Sequence, residues 1–250
     1  MSAQTARAGL DRRDFLKSTL AAAGLTALSA AEAAAPEETR RGLIDVNVHL
    51  SRWPWRRLAG DQTHTLVQRL RQQGVAQAWA GSFDGLLHKD LAAVNARLTA
   101  ECSRHGGRLL VPMGCVNPKA PDWEDDLRRC AETHRMRGIR LYPNYHGYRS
   151  DDPALARLMR LATELGLLVQ LALVMEDERM MHPLARVEPV DTAPLAKLIR
   201  QTPGLRLVLL NALRTLRGQP LTELLDAGEV FVEIAMLEGV GGLANLLARV

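Results

Sequence analysis

The 250-residue sequence has few cysteines, few lysines and no apolar run that would make a good membrane span. Cys102, Cys115 and Cys130 are odd in number and match no zinc-ligand spacing, which argues against a disulfide framework and a zinc finger. Each lies in an apolar or helical stretch, so buried free thiols are predicted. Only four of the 32 basic residues are lysines, and no basic stripe carries interleaved aromatic residues, so nucleic acid is not an expected partner.

Residues 1–35 differ in composition from the rest of the chain. Arg12 and Arg13 precede the run "DFLK" and a weakly apolar, alanine-rich segment, and together these resemble a twin-arginine export signal. An ordinary amphipathic leader is the alternative. Small residues offer cleavage after Ala33 or Ala35. We therefore predict a signal peptide at 1–35, a mature barrel domain at 36–250, and export to the periplasm or beyond through the twin-arginine machinery.

The mature part repeats one pattern of short apolar runs and amphipathic segments, at 47% hydrophobic and 24% charged residues overall. Each run precedes a polar loop and a segment of helical periodicity. Strands that are apolar throughout and alternate with helices predict a parallel sheet covered on both faces. The seven runs are "LIDVNVHL", "QAWAGS", "LLVPMGCV", "GIRLYP", "LLVQLAL", "LRLVLLNAL" and "VFVEIAM".

A TIM-like (β/α)8 barrel is favoured over a doubly wound open sheet. No glycine-rich phosphate turn follows the first strand, and the repeat has no break in composition. Seven strands are visible and the eighth is apparently missing, because the sequence reaches Val250 inside the helix after the seventh. On this interpretation, roughly 30 to 50 further residues are expected in the native gene product, the size of one more βα unit.

Three motifs carry a resemblance that spans about 42–250. "IDVNVH", "GIRLYPNYHGY" and "LRLVLLNAL" are similar to the first-, fourth- and sixth-strand motifs of the amidohydrolase-related family of the amidohydrolase superfamily. The resemblance implies a TIM-like barrel with a divalent metal such as zinc at the mouth. It also implies hydrolysis of C–O or C–N bonds, or a related decarboxylation, of a small anionic organic substrate.

The same resemblance predicts a degenerate metal site. It places metal ligands at Asn47, His49, Ala172 and Asn211, of which only His49 is a usual ligand for zinc. An amide is a poor replacement for imidazole. Asn47 and His49 are thus the remaining candidate ligands, unless carboxylates and a histidine of the loop "VMEDERMMHPL" rebuild a site.

The candidate site residues lie on the strands and on the loops that follow them. His49, His146 and His182 are predicted as catalytic acids and bases. Arg140 is predicted to bind a substrate carboxylate with its planar guanidinium; the alternative is an ion pair with Asp45 or Glu233 inside the barrel. Asp45, Asn47 and His49 alternate with valines, so they should share one face of the first strand. The predicted substrate-binding residues are Arg140, Tyr142, Asn211, Asp45 and Trp53.

Two hypotheses of function remain open on the sequence. The first is a hydrolase of this family that acts on a small anionic molecule. The second is a catalytically inactive barrel that keeps its mouth as a ligand pocket.

Overall fold

A computed structural model describes residues 42–237 and 239–248. The predicted signal peptide lies outside these residues. All seven predicted strands are present, with the third divided at Met113 into two short strands. Pro112 ends the first of them, since proline has no N–H for a sheet. The strands are β1 Leu43–Leu50, β2 Val75–Ser82, β3 Leu110–Pro112, β4 Gly114–Cys115, β5 Gly138–Leu141, β6 Leu168–Ala172, β7 Arg206–Leu210 and β8 Glu229–Val232.

Every pair of neighbouring strands is parallel, in the order β1-β2-β3 and then β4-β5-β6-β7-β8. The chain from β3 to β4 is nearly continuous, and Met113 N–H donates to the Ala80 carbonyl of β2, so the two sheets follow one another around the molecule. This is the TIM-like α/β arrangement that the sequence predicts.

The helices form the outer layer. Asp90 and Asp152 accept hydrogen bonds from backbone N–H groups at the starts of two helices, as N-caps do. Leu155, Leu158, Met159 and Ala162 are fully buried at helical spacing against the strands. The helices are α1 Thr63–Gln72, α2 Leu91–His105, α3 Trp123–Arg128, α4 Pro153–Glu164, α5 Leu195–Arg200, α6 Gln219–Leu225 and α7 Gly242–Leu247.

Strands β1 and β8 each pair on one side only within the described residues. Their large side chains Leu43, Ile44 and Phe231 are 62%, 53% and 50% exposed. Within the described residues, side-chain hydrogen bonds, described below, connect β1 with the end of β8, and backbone hydrogen bonds do not.

The three cysteines are buried and free, which confirms the prediction. Burial raises the pKa of Cys102 and of Cys130 to about 12, and it raises that of Cys115 further. Such thiols are unreactive in the folded state. Among the described residues, none of the helices has the length and hydrophobicity needed to cross a membrane.

Candidate functional site

The backbone of β1 is irregular where the candidate residues lie. Its register with β2 shifts between Asp45 and Val48. As a result, strict alternation fails here: Val46 packs towards the barrel interior, whereas Val48 packs under α1. Asp45, Asn47 and His49 nevertheless line the same cleft.

Arg140 of β5 is completely buried, and its N–H groups bond to acceptors on β1, β2 and β6. Nε donates to Gln170 Oε1 (2.8 Å), Nη1 to the Val48 carbonyl (2.8 Å), and Nη2 to the carbonyls of Val46 (3.1 Å) and Trp79 (3.0 Å). The structure thus favours the barrel-filling alternative for Arg140, although its partners are carbonyls and an amide rather than a carboxylate. Its role as a carboxylate anchor stays a prediction.

His49 lies against this guanidinium. Arg140 Nη1 is 3.0 Å from His49 Nε2 and 3.3 Å from Nδ1, and the Tyr142 hydroxyl is 3.1 Å from Nε2. The imidazole stacks on Phe83 at 4.5 Å between centroids, with 7° between the planes. Burial, and secondly the charge of Arg140, hold the pKa of His49 well below its usual value. His49 is therefore neutral at pH 7, and the nearly equal distances of Nη1 from its two ring nitrogens place the guanidinium over the face of the imidazole.

An amide network connects β1 with the ends of β7 and β8. Asn47 Nδ2 donates to Asn211 Oδ1 (2.9 Å) and to Glu233 Oε2 (3.4 Å), and the Asn211 N–H donates to the same carboxylate oxygen (3.0 Å). Asn211 has a φ of 54°, a left-handed conformation that asparagine tolerates. Asn47 Oδ1 is buried and has no hydrogen-bond partner.

The side chains at the implied ligand positions do not fit a divalent metal. The Asn47 and Asn211 amides bind each other and Glu233, His49 is engaged by Arg140, and Ala172 offers only a methyl group. Within the described parts of the chain, no group of three or more His, Cys, Asp or Glu residues could hold a metal ion.

Two loops cover the barrel mouth and contact each other. Arg56, after β1, forms an ion pair with the buried carboxylate of Glu176, after β6. Trp55 stacks on the exposed His182 at 5.6 Å between centroids. Trp53 is 5% exposed and packs edge-on against Phe83 at 5.1 Å, and its indole N–H is buried without a partner.

His146 lies apart from the other two predicted catalytic histidines. Its Nε2 donates to the Gly85 carbonyl (2.8 Å), so Nδ1 carries the lone pair, and that atom is buried without a partner. Burial lowers its pKa, and the bond to Gly85 partly opposes this. The Tyr142 ring lies 6.2 Å from His49 and 6.0 Å from His146. No hydrogen bond recorded for the described residues joins two of the three histidines, and their catalytic roles stay predictions.

A cleft of about 290 Å³ lies between β1, the loop that follows it and α1. His49 and Phe83 give it an aromatic wall, and Asp45 and Asn47 give it hydrogen-bond acceptors. Asp61 also lines it, but its carboxylate is bound by Arg57. The sequence analysis missed Phe83 and Gln170; Gln170, a polar residue inside an otherwise apolar strand, was the available signal.

Comparisons with known proteins agree with this fold. The family profile described as amidohydrolase matches residues 44–238, and that of the twin-arginine translocation pathway signal sequence matches residues 9–29. A search of curated proteins gave no match.

Three solved structures resemble the chain at identities that establish the fold alone. An uncharacterized TIM-barrel protein from Bordetella bronchiseptica is 13% identical, with a TM-score of 0.57 and coverage of 82% of this chain and 80% of that one. IDCase from Metarhizium anisopliae, in apo form, is 15% identical (TM-score 0.53; 69% and 66%). A dihydroxybenzoic acid decarboxylase from Polaromonas sp. JS666, with manganese and the inhibitor 2-nitroresorcinol, is 11% identical (TM-score 0.50; 68% and 65%). This chain spans just under two thirds of the last two.

Proposed function

The chain belongs to the amidohydrolase family and carries a twin-arginine signal sequence, and from this premise we propose that it is an exported barrel that binds a small aromatic molecule without a divalent metal. The mature domain then begins near Pro36 and works outside the cytoplasm. Of the two hypotheses that the sequence leaves open, this is the ligand-binding one.

The observation that carries the proposal is the state of His49. A metal ion or a proton on His49 would add positive charge beside the Arg140 guanidinium, whose Nη1 lies 3.0 Å from Nε2, so His49 is a poor metal ligand and a poor general base. Metal-activated water is therefore not available to this set of residues, whereas the cleft beside His49 remains.

The lining of the cleft favours a flat ligand that donates hydrogen bonds. Phe83 and His49, which stack on each other at 4.5 Å, give the cleft an aromatic wall, and an aromatic ring packed edge-on against it gains about 0.5–1.5 kcal/mol beyond area burial. The Asp45 carboxylate accepts hydrogen bonds, and Arg140 faces away into its own carbonyl partners. A phenol such as resorcinol matches these groups, and the inhibitor in the Polaromonas structure is of the same class. The expectation of an anionic substrate predicts the opposite preference.

Calorimetric titration tests the proposal with two probes that differ by one carboxylate. The exported chain is purified, treated with EDTA and titrated with resorcinol and with 2,6-dihydroxybenzoate, before and after Mn²⁺ is added. We expect resorcinol to bind more tightly, with no dependence on Mn²⁺, and Phe83→Ala to weaken binding. Binding or turnover of either compound that requires Mn²⁺ would overturn the proposal.

A metal-independent hydrolase is the second candidate, and His146 supports it. Its Nδ1 is an imidazole nitrogen without a partner, next to the rings of Tyr142 and Tyr148. A screen of esters, lactones and amides in EDTA, with His146→Ala as the control, tests it. Turnover that His146→Ala abolishes and His182→Ala preserves would assign the base to His146.

A further inference from the structure

The interior of this barrel contains a fixed positive charge. We infer that the Arg140 guanidinium takes the place of the divalent metal as the resident cation of the barrel and excludes metal ions from His49. This deepens the proposed function and rests on metal-free binding.

The position of the guanidinium excludes a metal on the remaining imidazole. A zinc ion on His49 Nε2 would lie about 2.1 Å from that atom, against the Nη1 group that is itself 3.0 Å from Nε2. The two cations would repel each other. On Nδ1, 3.3 Å from Nη1, a metal would meet the same charge.

Arg140 keeps its positive charge inside the barrel, and hydrogen bonds to its N–H groups compensate for the loss of water around that charge. Arginine does not lose its proton in proteins. A buried charge persists only when its donors are matched, and here carbonyls of β1 and β2 and the Gln170 amide match them. The Val46 carbonyl lies within the register shift of β1, and the Val48 carbonyl lies at its end.

Gly81 of β2 provides the space. A Cβ at this position would lie 2.9 Å from Arg140 Nη1 and 3.2 Å from Cζ. The guanidinium thus occupies a volume that an alanine would take. Because Arg140 occupies the space beside Gly81 whatever side chains stand at positions 47 and 211, restoring histidines alone is not expected to restore metal binding.

Three variants separate the charge of Arg140 from its shape. All carry Asn47→His and Ala172→His, which with His49 supply three imidazoles. The first keeps Arg140, the second adds Arg140→Lys, and the third adds Arg140→Met, a neutral side chain of similar length. Affinity for Zn²⁺ and for Mn²⁺ is measured by competition with a chromophoric chelator, and stoichiometry by elemental analysis.

We expect the Arg140→Met background to bind Zn²⁺ at least 100-fold more tightly than the Arg140 and Arg140→Lys backgrounds. Equal affinity in all three would overturn the inference. In case Arg140→Met prevents folding, ¹⁵N NMR of the His49 ring in the natural chain gives a second measurement. Its resonances should not move when Zn²⁺ is added, and a stoichiometric shift would contradict the inference.

Resorcinol binding keeps the two proposals distinguishable. Absence of resorcinol binding, with metal exclusion that still depends on Arg140, removes only the proposed function. Resorcinol binding with equal Zn²⁺ affinity in the three backgrounds removes only the role of Arg140.

Discussion

The barrel interior and the barrel mouth use polar groups in opposite ways. In the interior, the donors of Arg140 and the amides of Gln170 and Asn211 meet partners within the protein. At the mouth, the Trp53 indole N–H and His146 Nδ1 are buried without partners. Buried polar groups in folded proteins are normally satisfied, so unpaired ones indicate where a ligand or water belongs. The paired groups of the interior are therefore structural, and the unpaired atoms, which include Asn47 Oδ1 beside the cleft, indicate where a further partner belongs.

The largest expected effect on the free energy of unfolding comes from removing the Arg140 guanidinium from the barrel interior. Arg140→Met removes the donors to the Val48 and Trp79 carbonyls and to Gln170 Oε1, whereas the Val46 carbonyl keeps the Gln170 N–H. Each buried acceptor left without a partner costs about 1–3 kcal/mol. We expect the free energy of unfolding to fall by about 3 kcal/mol or more, measured by urea denaturation. The matched control is Arg69→Met, since Arg69 is exposed and donates to a single carbonyl, that of Ala59. A similar loss in both variants would contradict the interior role.

Gly81→Ala should have the next largest effect, because the new methyl group would press on the guanidinium. Overpacking of this kind costs about 1–3 kcal/mol. A double-mutant cycle checks the cause: in the Arg140→Met background the cost of Gly81→Ala should nearly vanish. If Gly81→Ala lowers the free energy of unfolding equally in the Arg140→Met background, the new methyl group clashes with a group other than Arg140.

Low pH should destabilise the folded protein through the two buried histidines, His49 and His146. Burial is the main cause that lowers the pKa of His49 and of His146, so below pH of about 6.5 the unfolded chain binds protons that the folded chain does not. Stability should thus decline as the pH falls from this value, by up to about 1.4 kcal/mol per pH unit for each histidine. His49→Gln and His146→Asn should each reduce this slope in denaturation series from pH 7.5 to 5. A slope unchanged by both would refute the assignment.

The smallest effect on stability is expected at the mouth. Trp53→Phe removes the unpaired N–H and keeps an aromatic ring, so the free energy of unfolding should change by less than about 1.5 kcal/mol. Trp53 does not line the cleft and contacts it through Phe83, so resorcinol affinity, measured by calorimetry, should change less than it does in Phe83→Ala. Urea denaturation gives the free energy of unfolding. A loss of stability as large as that of Arg140→Met would remove the contrast between the two regions.

The sequence predicts the fold well because the fold rests on periodicity. Apolar runs at strand length and helices with aspartate caps gave the order of elements. They also brought Asp45, Asn47 and His49 to one cleft. These features depend on each residue's own chemistry and spacing.

The state of the site depends on partners that leave no mark in the sequence. The acceptors of Arg140 are mostly backbone carbonyls, which every residue possesses, and the register shift in β1 that presents them depends on packing. The contact of Arg56 with Glu176 joins loops far apart in the chain. For this reason the sequence predicts that Arg140 binds a substrate, whereas in the structure its guanidinium binds groups of the barrel strands.

The buried thiols have a consequence for the life of the protein after export. Cys102, Cys115 and Cys130 are at most 3% exposed, while compartments outside the cytoplasm favour disulfides. Oxidants reach these sulfur atoms only when the chain opens, and an incorrect disulfide then prevents it from closing. Each opening is thus a chance of irreversible loss, and the working lifetime follows the rate of unfolding rather than the equilibrium free energy. Oxidation of the three cysteines during transient unfolding therefore limits the working lifetime of the exported protein.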